Sequence, residues 1–169
     1  MSHAESLMRH LAGDGVNIGN APAKIESWLE SLALPLQLKR MLQWSWPSAP
    51  VTIGKIEFTD PVGIFHFEHR EKMIAESLIP IGRGLNGDPF LLDFSRESGP
   101  VGFLCLPELY GEKCFRDVFQ PTYRTLASYL HRAMLGHYLP FDYYEARDMI
   151  DFLTEESEHD SFPPFHKIR

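Results

Sequence analysis

The tightest group of side chains that could bind a metal ion is His66, Glu68 and His69. Imidazole nitrogens and carboxylate oxygens are common zinc ligands, and a zinc site needs three or four of them. Apolar alternation over residues 63–68 predicts a β-strand, on which His66 and Glu68 share a face while His69 points away. Because three such side chains would not converge, we predict polar strand residues and no metal site. A metal-dependent enzyme is the less favoured alternative.

Groups capable of nucleophilic or acid–base catalysis are present, but none stands in a motif that would activate it. Ser45 and Ser95 lack the Gly-x-Ser-x-Gly turn that exposes a catalytic serine. Cys105 lies in an apolar segment, where a thiol usually packs as a small inert hydrophobe. Asp88 and Asp93 could pair as acid and base, yet the sequence gives them no contrasting environments, which that chemistry requires. We therefore predict no catalytic residue, no enzymatic activity and no cofactor.

The glycine-rich stretch Gly82–Gly87 has the composition of a phosphate-binding loop. It lacks the Gly-Lys-Ser/Thr ending of such loops. An apolar strand follows it in place of the helix whose N-terminus would bind the phosphate. The sequence therefore predicts a turn between two strands.

Charge is distributed unevenly along the 169 residues, whose net charge is −7. Residues 1–141 hold 13 basic and 15 acidic residues, whereas residues 142–169 hold 3 and 8. No cluster of Lys and Arg is present to neutralise phosphates, so direct nucleic-acid binding is not expected. The C-terminal acidic residues leave two interpretations open, a solvated helix face and tail or a surface that attracts a basic protein. These residues are Asp142, Glu145, Asp148, Asp151, Glu155, Glu156, Glu158 and Asp160.

No stretch of the sequence resembles a targeting or membrane-spanning segment. The first fifteen residues contain no apolar run long enough for a signal peptide. The longest apolar runs, such as Val101–Leu106, fall far short of the ~20 residues that a membrane span needs. Cys105 and Cys114 are too few for the disulfide framework of a small secreted domain. We expect a cytoplasmic protein with reduced thiols and no membrane association.

Apolar residues recur at helical spacing towards both ends of the chain and at every second position in the middle of the chain. Helices are predicted over 4–12 and 23–32, after Pro35, as a turn over 70–76, from Thr122 to Gly136, and over 142–152. Strands are predicted over 55–59, 63–68, 78–81, 90–94 and 100–106. Short, turn-rich links join the last three strands and favour antiparallel neighbours. The sequence predicts an α+β fold, an antiparallel sheet of about five to six strands with helices packed on it.

Two segments of the chain resemble the SUKH superfamily, which includes the SMI/KNR cell-wall regulators and many bacterial immunity proteins. Family members open with an apolar helix that ends in a Leu-Pro step, matched here by Leu34-Pro35. Their central signature is a strand ending in Pro-Ile-Gly, a Gly/Asp-rich turn, an apolar strand ending in Asp, and a Gly-Pro-Val strand. This chain reads LIPIGRGLNGDPFLLDFSRESGPVGF. The signature residues are Pro80, Gly82, Gly87, Asp93, Gly99 and Pro100. The resemblance covers residues 23–135.

What the resemblance implies is a non-catalytic protein-binding domain, because many relatives are antidotes that bind and inactivate a secreted toxin, often a nuclease or deaminase. The expected function is therefore an immunity-type protein, with an intracellular SMI/KNR-like regulatory scaffold for a host partner as the alternative.

The resemblance also predicts how the chain is divided. It predicts an N-terminal helical extension (1–21), the SUKH-like domain (22–140) and an acidic C-terminal helix and tail (141–169). Gly82 and Gly87 are expected to adopt backbone angles that a Cβ would forbid. Pro100 is expected where a strand needs no backbone donor.

Trp44 and Trp46 flank a single serine. Tryptophan is enriched at binding hot spots, so an exposed partner-binding role stays open beside a role at the edge of the core. The acidic segment suits a basic toxin domain, and the oligomeric state stays open. The candidate partner-binding residues are Trp44, Trp46, Asp142, Glu145, Asp148, Glu155 and Glu156.

Overall fold

A computed structural model describes residues 3–12, 17–19, 21–96, 99–106 and 114–148. The helices are α1 (His3–Ala12), α2 (Ala23–Ser31), α3 (Leu36–Trp44), α4 (Pro61–Phe65), α5 (Arg70–Ala75), α6 (Leu126–Met134) and α7 (Tyr143–Asp148). The strands are β1 (Val51–Ile53), β2 (Ile56–Phe58), β3 (Leu78–Gly84), β4 (Pro89–Asp93), β5 (Val101–Leu104) and β6 (Phe119–Tyr123). A 3₁₀ helix, Phe115–Val118, precedes β6. The predicted α+β class is confirmed.

The strands form one six-stranded sheet in which each strand pairs with its neighbour in sequence, in the order β1-β2-β3-β4-β5-β6. All pairs are antiparallel. A two-residue turn joins β1 to β2, with Gly54 at φ +61° in its first central position. Type II′ hairpin turns place glycine at this position. A second turn, residues 85–88, joins β3 to β4 at the same end of the sheet.

Both faces of the sheet are covered, which explains why its central strands read as continuous apolar runs. In β4, Phe90 and Leu92 join the larger core, and Leu91 between them joins the smaller one. The larger core also contains buried residues of α1, α2, α3, α6 and α7. The smaller core lies on the opposite face beneath α5 and the 3₁₀ helix. Its buried residues are Phe67, Met73, Leu78, Leu91, Leu104, Phe115 and Val118.

The segments predicted to lie outside the central domain contribute to the same core. Leu7 and Met8 of α1 are buried, and α1 packs mainly against α6. Tyr143 and Ala146 of α7 are buried in the same cluster. Residues 149–169 lie outside the described part of the chain. None of the described helices is both long enough and apolar enough to cross a membrane.

The strand predicted over residues 63–68 is wrong, because this segment contains helix α4 and a turn. The Asp60 side chain accepts a hydrogen bond from the Gly63 backbone N–H at 3.0 Å, and Pro61 occupies the first helical turn. An aspartate N-cap followed by proline starts a helix despite apolar alternation. His66 ends this helix, and His69 has φ +58° in the turn that follows. The strand face that His66 and Glu68 were expected to share does not exist.

Two edge strands were missed by the sequence periodicity. Strand β1 has only three residues, and β6 occupies the position where a helix was predicted to begin. Helix α6 starts later, because Thr125 caps it by accepting a hydrogen bond from Ser128 N–H at 3.0 Å. Pro121 in β6 is compatible with an edge strand. Such a strand has only one neighbour, so the backbone N–H that proline lacks is not needed for pairing with a second strand.

Glycine has different roles at the two positions singled out in the sequence. Gly87 has φ +93°, which confirms the expected left-handed turn conformation. Gly82 has no such angle, so the reason predicted for it is wrong. Its missing side chain lets the neighbouring strand approach, because a Cβ there would lie 2.6 Å from the carbonyl oxygen of Glu57.

The other signature residues lie at the ends of strands or beside an irregularity. Gly99 has a left-handed conformation at φ +59°. Pro100 precedes β5, and its carbonyl accepts a hydrogen bond from Asp93 N–H at 2.8 Å. Pro80 lies in β3 beside a register shift.

Candidate partner-binding surface

The two neighbouring tryptophans have different environments. Trp46 is 1% exposed, its indole N–H donates to the Thr59 carbonyl at 2.6 Å, and its ring packs edge-on against Phe58. The expected role of Trp46 in partner binding is therefore wrong, because a core side chain presents no surface. Trp44 at the end of α3 is 50% exposed and stays a candidate. The two indoles are separated because α3 ends between them and the chain turns inward.

Asp142 and Glu145 fix the conformation of the segment that precedes and begins α7. One Asp142 oxygen accepts from the Glu145 backbone N–H at 2.8 Å, and the other accepts from the Asn86 side chain at 3.2 Å. Glu145 accepts from the Tyr138 hydroxyl at 2.5 Å and from the Phe141 backbone N–H at 3.1 Å. Both predicted carboxylates are thus held in defined positions by this chain's own donors.

The turn between β3 and β4 forms the other half of this arrangement. Asp88 accepts from the Asn86 side chain at 3.0 Å, as expected for a turn, and also from the Tyr143 backbone N–H at 3.0 Å. Gly84 lies so close to residue 141 that a Cβ would overlap the carbonyl oxygen of Phe141. The turn and the C-terminal segment therefore form one unit at the hairpin end of the sheet.

This unit exposes apolar side chains beside the fixed carboxylates. Leu85 at the tip of the turn is 64% exposed, and Tyr138, which donates to Glu145, is also exposed. Residues Leu85, Tyr138, Asp142 and Glu145 are called the C-terminal surface below. Exposed apolar groups next to preordered negative charges suit a basic protein surface better than a small molecule. Sequence reasoning found the two carboxylates but missed the apolar members, although an exposed leucine in a Gly/Asn/Asp turn was a usable signal.

Of the remaining acidic candidates, Asp148 is the one that falls within the described residues. Asp148 is exposed and pairs with Arg147 at 3.3 Å. Glu155 and Glu156 lie outside the described residues.

Asp93, one of the signature residues, has a buried carboxylate that pairs with the partly exposed guanidinium of Arg116. The guanidinium donates to both carboxylate oxygens, at 2.7 and 3.0 Å, and Ser95 donates to one of them through its backbone N–H and its hydroxyl. Arg116 also donates from Nε to the Glu76 carbonyl at 2.8 Å. The pair joins the end of β4, the 3₁₀ helix and the loop before β3. Asp88 lies at the other end of β4, so the two aspartates do not form an acid–base pair.

The environment of Asp93 predicts a loss of stability in acid. Burial raises the pKa of this carboxyl, but the hydrogen bonds from Arg116 and Ser95 outweigh burial and lower it to about 2 from 3.8. Because the folded pKa is depressed, the stabilisation is present above about pH 5 and is lost as the pH falls through the folded value. A shift of this size corresponds to roughly 2 kcal/mol. About 1.5 kcal/mol of this stabilisation is lost between pH 6 and pH 2.5, so the unfolding free energies of the wild type and Asp93→Asn should converge by that amount over this range. A difference that is independent of pH would contradict this assignment.

The candidate metal ligands and nucleophiles are dispersed. His69 Nε2 lies 3.3 Å from Glu68 Oε1 at the surface, and the His66 ring packs against Phe65. Within the described ranges, no group of three His, Cys, Asp or Glu side chains is placed to hold a metal ion. Cys105 is buried with its thiol 3.6 Å from the Tyr144 hydroxyl, and Cys114 is exposed.

Comparisons of this chain with protein-family models, with curated proteins and with solved structures found no match. The SUKH resemblance of residues 23–135 therefore stays a prediction from the sequence.

Proposed function

We propose that this chain is a SUKH-like, immunity-type domain that acts in the cytoplasm and neutralises a basic toxin by binding it. The toxin would be of the nuclease or deaminase class. The observation that supports this most is the C-terminal surface, on which carboxylates held by hydrogen bonds lie beside exposed apolar side chains. The uninterrupted antiparallel order of the strands that carry the signature residues adds to it.

Preordering makes these carboxylates effective binding groups. A carboxylate offers about four acceptor sites, and two protein donors occupy sites on Asp142 and likewise on Glu145. The remaining sites can accept from Arg or Lys of a partner with little loss of side-chain entropy, because the carboxylates are already held. Leu85 and Tyr138 would lose exposed apolar area on contact, at about 25 cal/mol per Å². Covering basic residues that a toxin needs for nucleic acid would block its activity without any catalysis by this chain.

The direct test is co-expression with each toxin encoded beside the gene for this chain. We expect protection of the cells and a complex that co-elutes on gel filtration. If the chain neither binds nor protects against any of these toxins, the immunity function is wrong. A complex with a host protein in place of a toxin would favour the SMI/KNR-like regulatory scaffold.

A matched pair of leucine variants tests which surface binds the toxin. Leu85→Ala, in the C-terminal surface, should weaken affinity about tenfold, because a central apolar contact contributes on the order of 1–2 kcal/mol. Leu36 is similarly exposed, at 59%, but lies on the outer face of α3 with Trp44. Leu36→Ala should therefore leave the dissociation constant, measured by calorimetry, within about twofold of wild type. The reverse pattern would assign binding to the α3 face.

A further inference from the structure

A second group of partly exposed side chains lies at the other end of the sheet, where α4 and α5 connect β2 to β3. Trp28 of α2 and Phe65 of α4 pack edge to face, with ring centres 5.2 Å apart. The Arg70 guanidinium lies 4.6 Å from the centre of the Phe65 ring and 5.6 Å from that of Trp28. The Lys24 ammonium lies 5.2 Å from the Phe65 ring centre. Lys24, Trp28, Phe65 and Arg70 are called the cation–aromatic cluster below.

The cations of this cluster have few acceptors. Arg70 Nε donates no hydrogen bond and is buried, so a partner would reach the guanidinium through its Nη groups. Arg70 Nη2 lies 3.4 Å from Glu71 Oε1, and the Glu71 side chain is 85% exposed. Such a surface ion pair contributes little to stability. Within the described residues, the Lys24 ammonium contacts the Phe65 ring and forms no ion pair with a carboxylate. Two positive charges therefore meet at an aromatic pair without an equal number of negative groups.

The stacking prepares Arg70 to bind an anionic group. A guanidinium packed on aromatic rings is held in one plane, and its N–H groups match the two oxygens of a carboxylate. Because stacking already restricts the Arg70 side chain, binding a ligand costs little additional side-chain entropy. The edges of Trp28 and Phe65 offer an apolar surface beside it. Tryptophan and arginine are the residues most enriched at protein-binding hot spots.

We propose that the cation–aromatic cluster is a docking surface for a carboxylate-bearing segment of an acidic partner protein. Arg70 and Lys24 hold the carboxylate, and an adjacent apolar side chain of the partner packs on Trp28 and Phe65. Charge complementarity selects this occupant, since the cluster supplies donors and the weakly held Glu71 is readily displaced. This surface is at the opposite end of the sheet from the C-terminal surface, which suits a basic partner. Its function is therefore independent of toxin neutralisation.

The probe is an acetylated ten-residue peptide that alternates glutamate with phenylalanine and leucine, titrated into the ¹⁵N-labelled full chain. We expect sub-millimolar binding with shifts of the Trp28 indole N–H and the Arg70 Nε–H signals. Arg70→Gln should weaken binding at least fivefold. Lys72→Gln, an equal charge change at an exposed position of the same helix, should leave it within twofold. Thermal unfolding of both variants checks that the fold is retained, and Lys24→Gln provides a second cluster variant if Arg70→Gln does not fold.

Four results would overturn the proposal. Binding that is equally strong with a peptide carrying lysine in place of glutamate would show that charge does not select the ligand. Equal losses in Arg70→Gln and Lys72→Gln would show attraction by net charge alone. Shifts confined to residues of the C-terminal surface, or no binding at millimolar peptide, would show that the cluster does not bind this ligand. None of these results bears on protection against a toxin.

Discussion

Replacing Arg116 with methionine is expected to lower the free energy of unfolding by about 3–5 kcal/mol. The substitution removes the guanidinium that donates to both oxygens of the buried Asp93 carboxylate and to the Glu76 carbonyl. Ser95 would remain as a partner, but its hydrogen bonds carry no charge to balance the carboxylate. A buried charge that loses its partner costs more than an ion pair contributes, because its desolvation is no longer compensated.

Urea denaturation at pH 7 measures this effect, and two variants define its origin. Arg40→Met makes the same exchange at an exposed position of α3 and should change stability by less than about 0.5 kcal/mol. The double variant Arg116→Met/Asp93→Asn should recover much of the loss, because it removes the unpaired charge. A loss below about 1 kcal/mol in Arg116→Met would show that the pair behaves as a surface salt bridge.

The second large effect concerns the two tryptophans. Trp46→Ala should cost about 3–5 kcal/mol, because it empties a large, fully buried site. It also leaves the Thr59 carbonyl without the indole donor at 2.6 Å. Trp44→Ala, two residues earlier at the exposed end of α3, should cost less than about 0.5 kcal/mol.

Thermal and urea denaturation of both alanine variants, with near-ultraviolet circular dichroism, measure this difference. Trp46→Phe separates the lost hydrogen bond from the lost volume and should have an intermediate effect. Equal stability losses at positions 44 and 46 would contradict the burial assigned to Trp46. A change in affinity for the proposed toxin partner with Trp44→Ala alone would instead place the α3 face in the interface.

Most elements of the fold could be predicted from the sequence, because helical and strand periodicities are local properties. Apolar spacing predicts the helices around Leu29, Leu42 and Leu130 and the strands around Ile79, Phe90 and Phe103. The strand predicted over residues 63–68 failed since the Asp-Pro cap determined the local conformation more strongly than alternation did. The β1 hairpin was missed although Gly54 stands where such a turn requires it, because three-residue strands give almost no periodic signal.

The candidate sites were predictable only in part. Acidic composition identified Asp142 and Glu145, but it gave no indication that Leu85 and Tyr138 lie beside them. The Asp88 contact with Tyr143 spans 55 residues, and the Asp93 ion pair with Arg116 spans 23. Such contacts depend on which ends of the strands meet, and periodicity does not specify this.

The sequence by itself determined the α+β class, the turn at Gly87 and the acidic C-terminal segment, since each depends on adjacent residues or on composition. Only the tertiary structure decided that Trp46 is buried while Trp44 is exposed, and that Arg70 stacks on Trp28 and Phe65. It also decided which carboxylates are held in place at the hairpin end of the sheet. The physical reason is that burial and charge pairing are properties of packed elements distant in sequence. Two tryptophans separated by one serine can therefore have opposite environments.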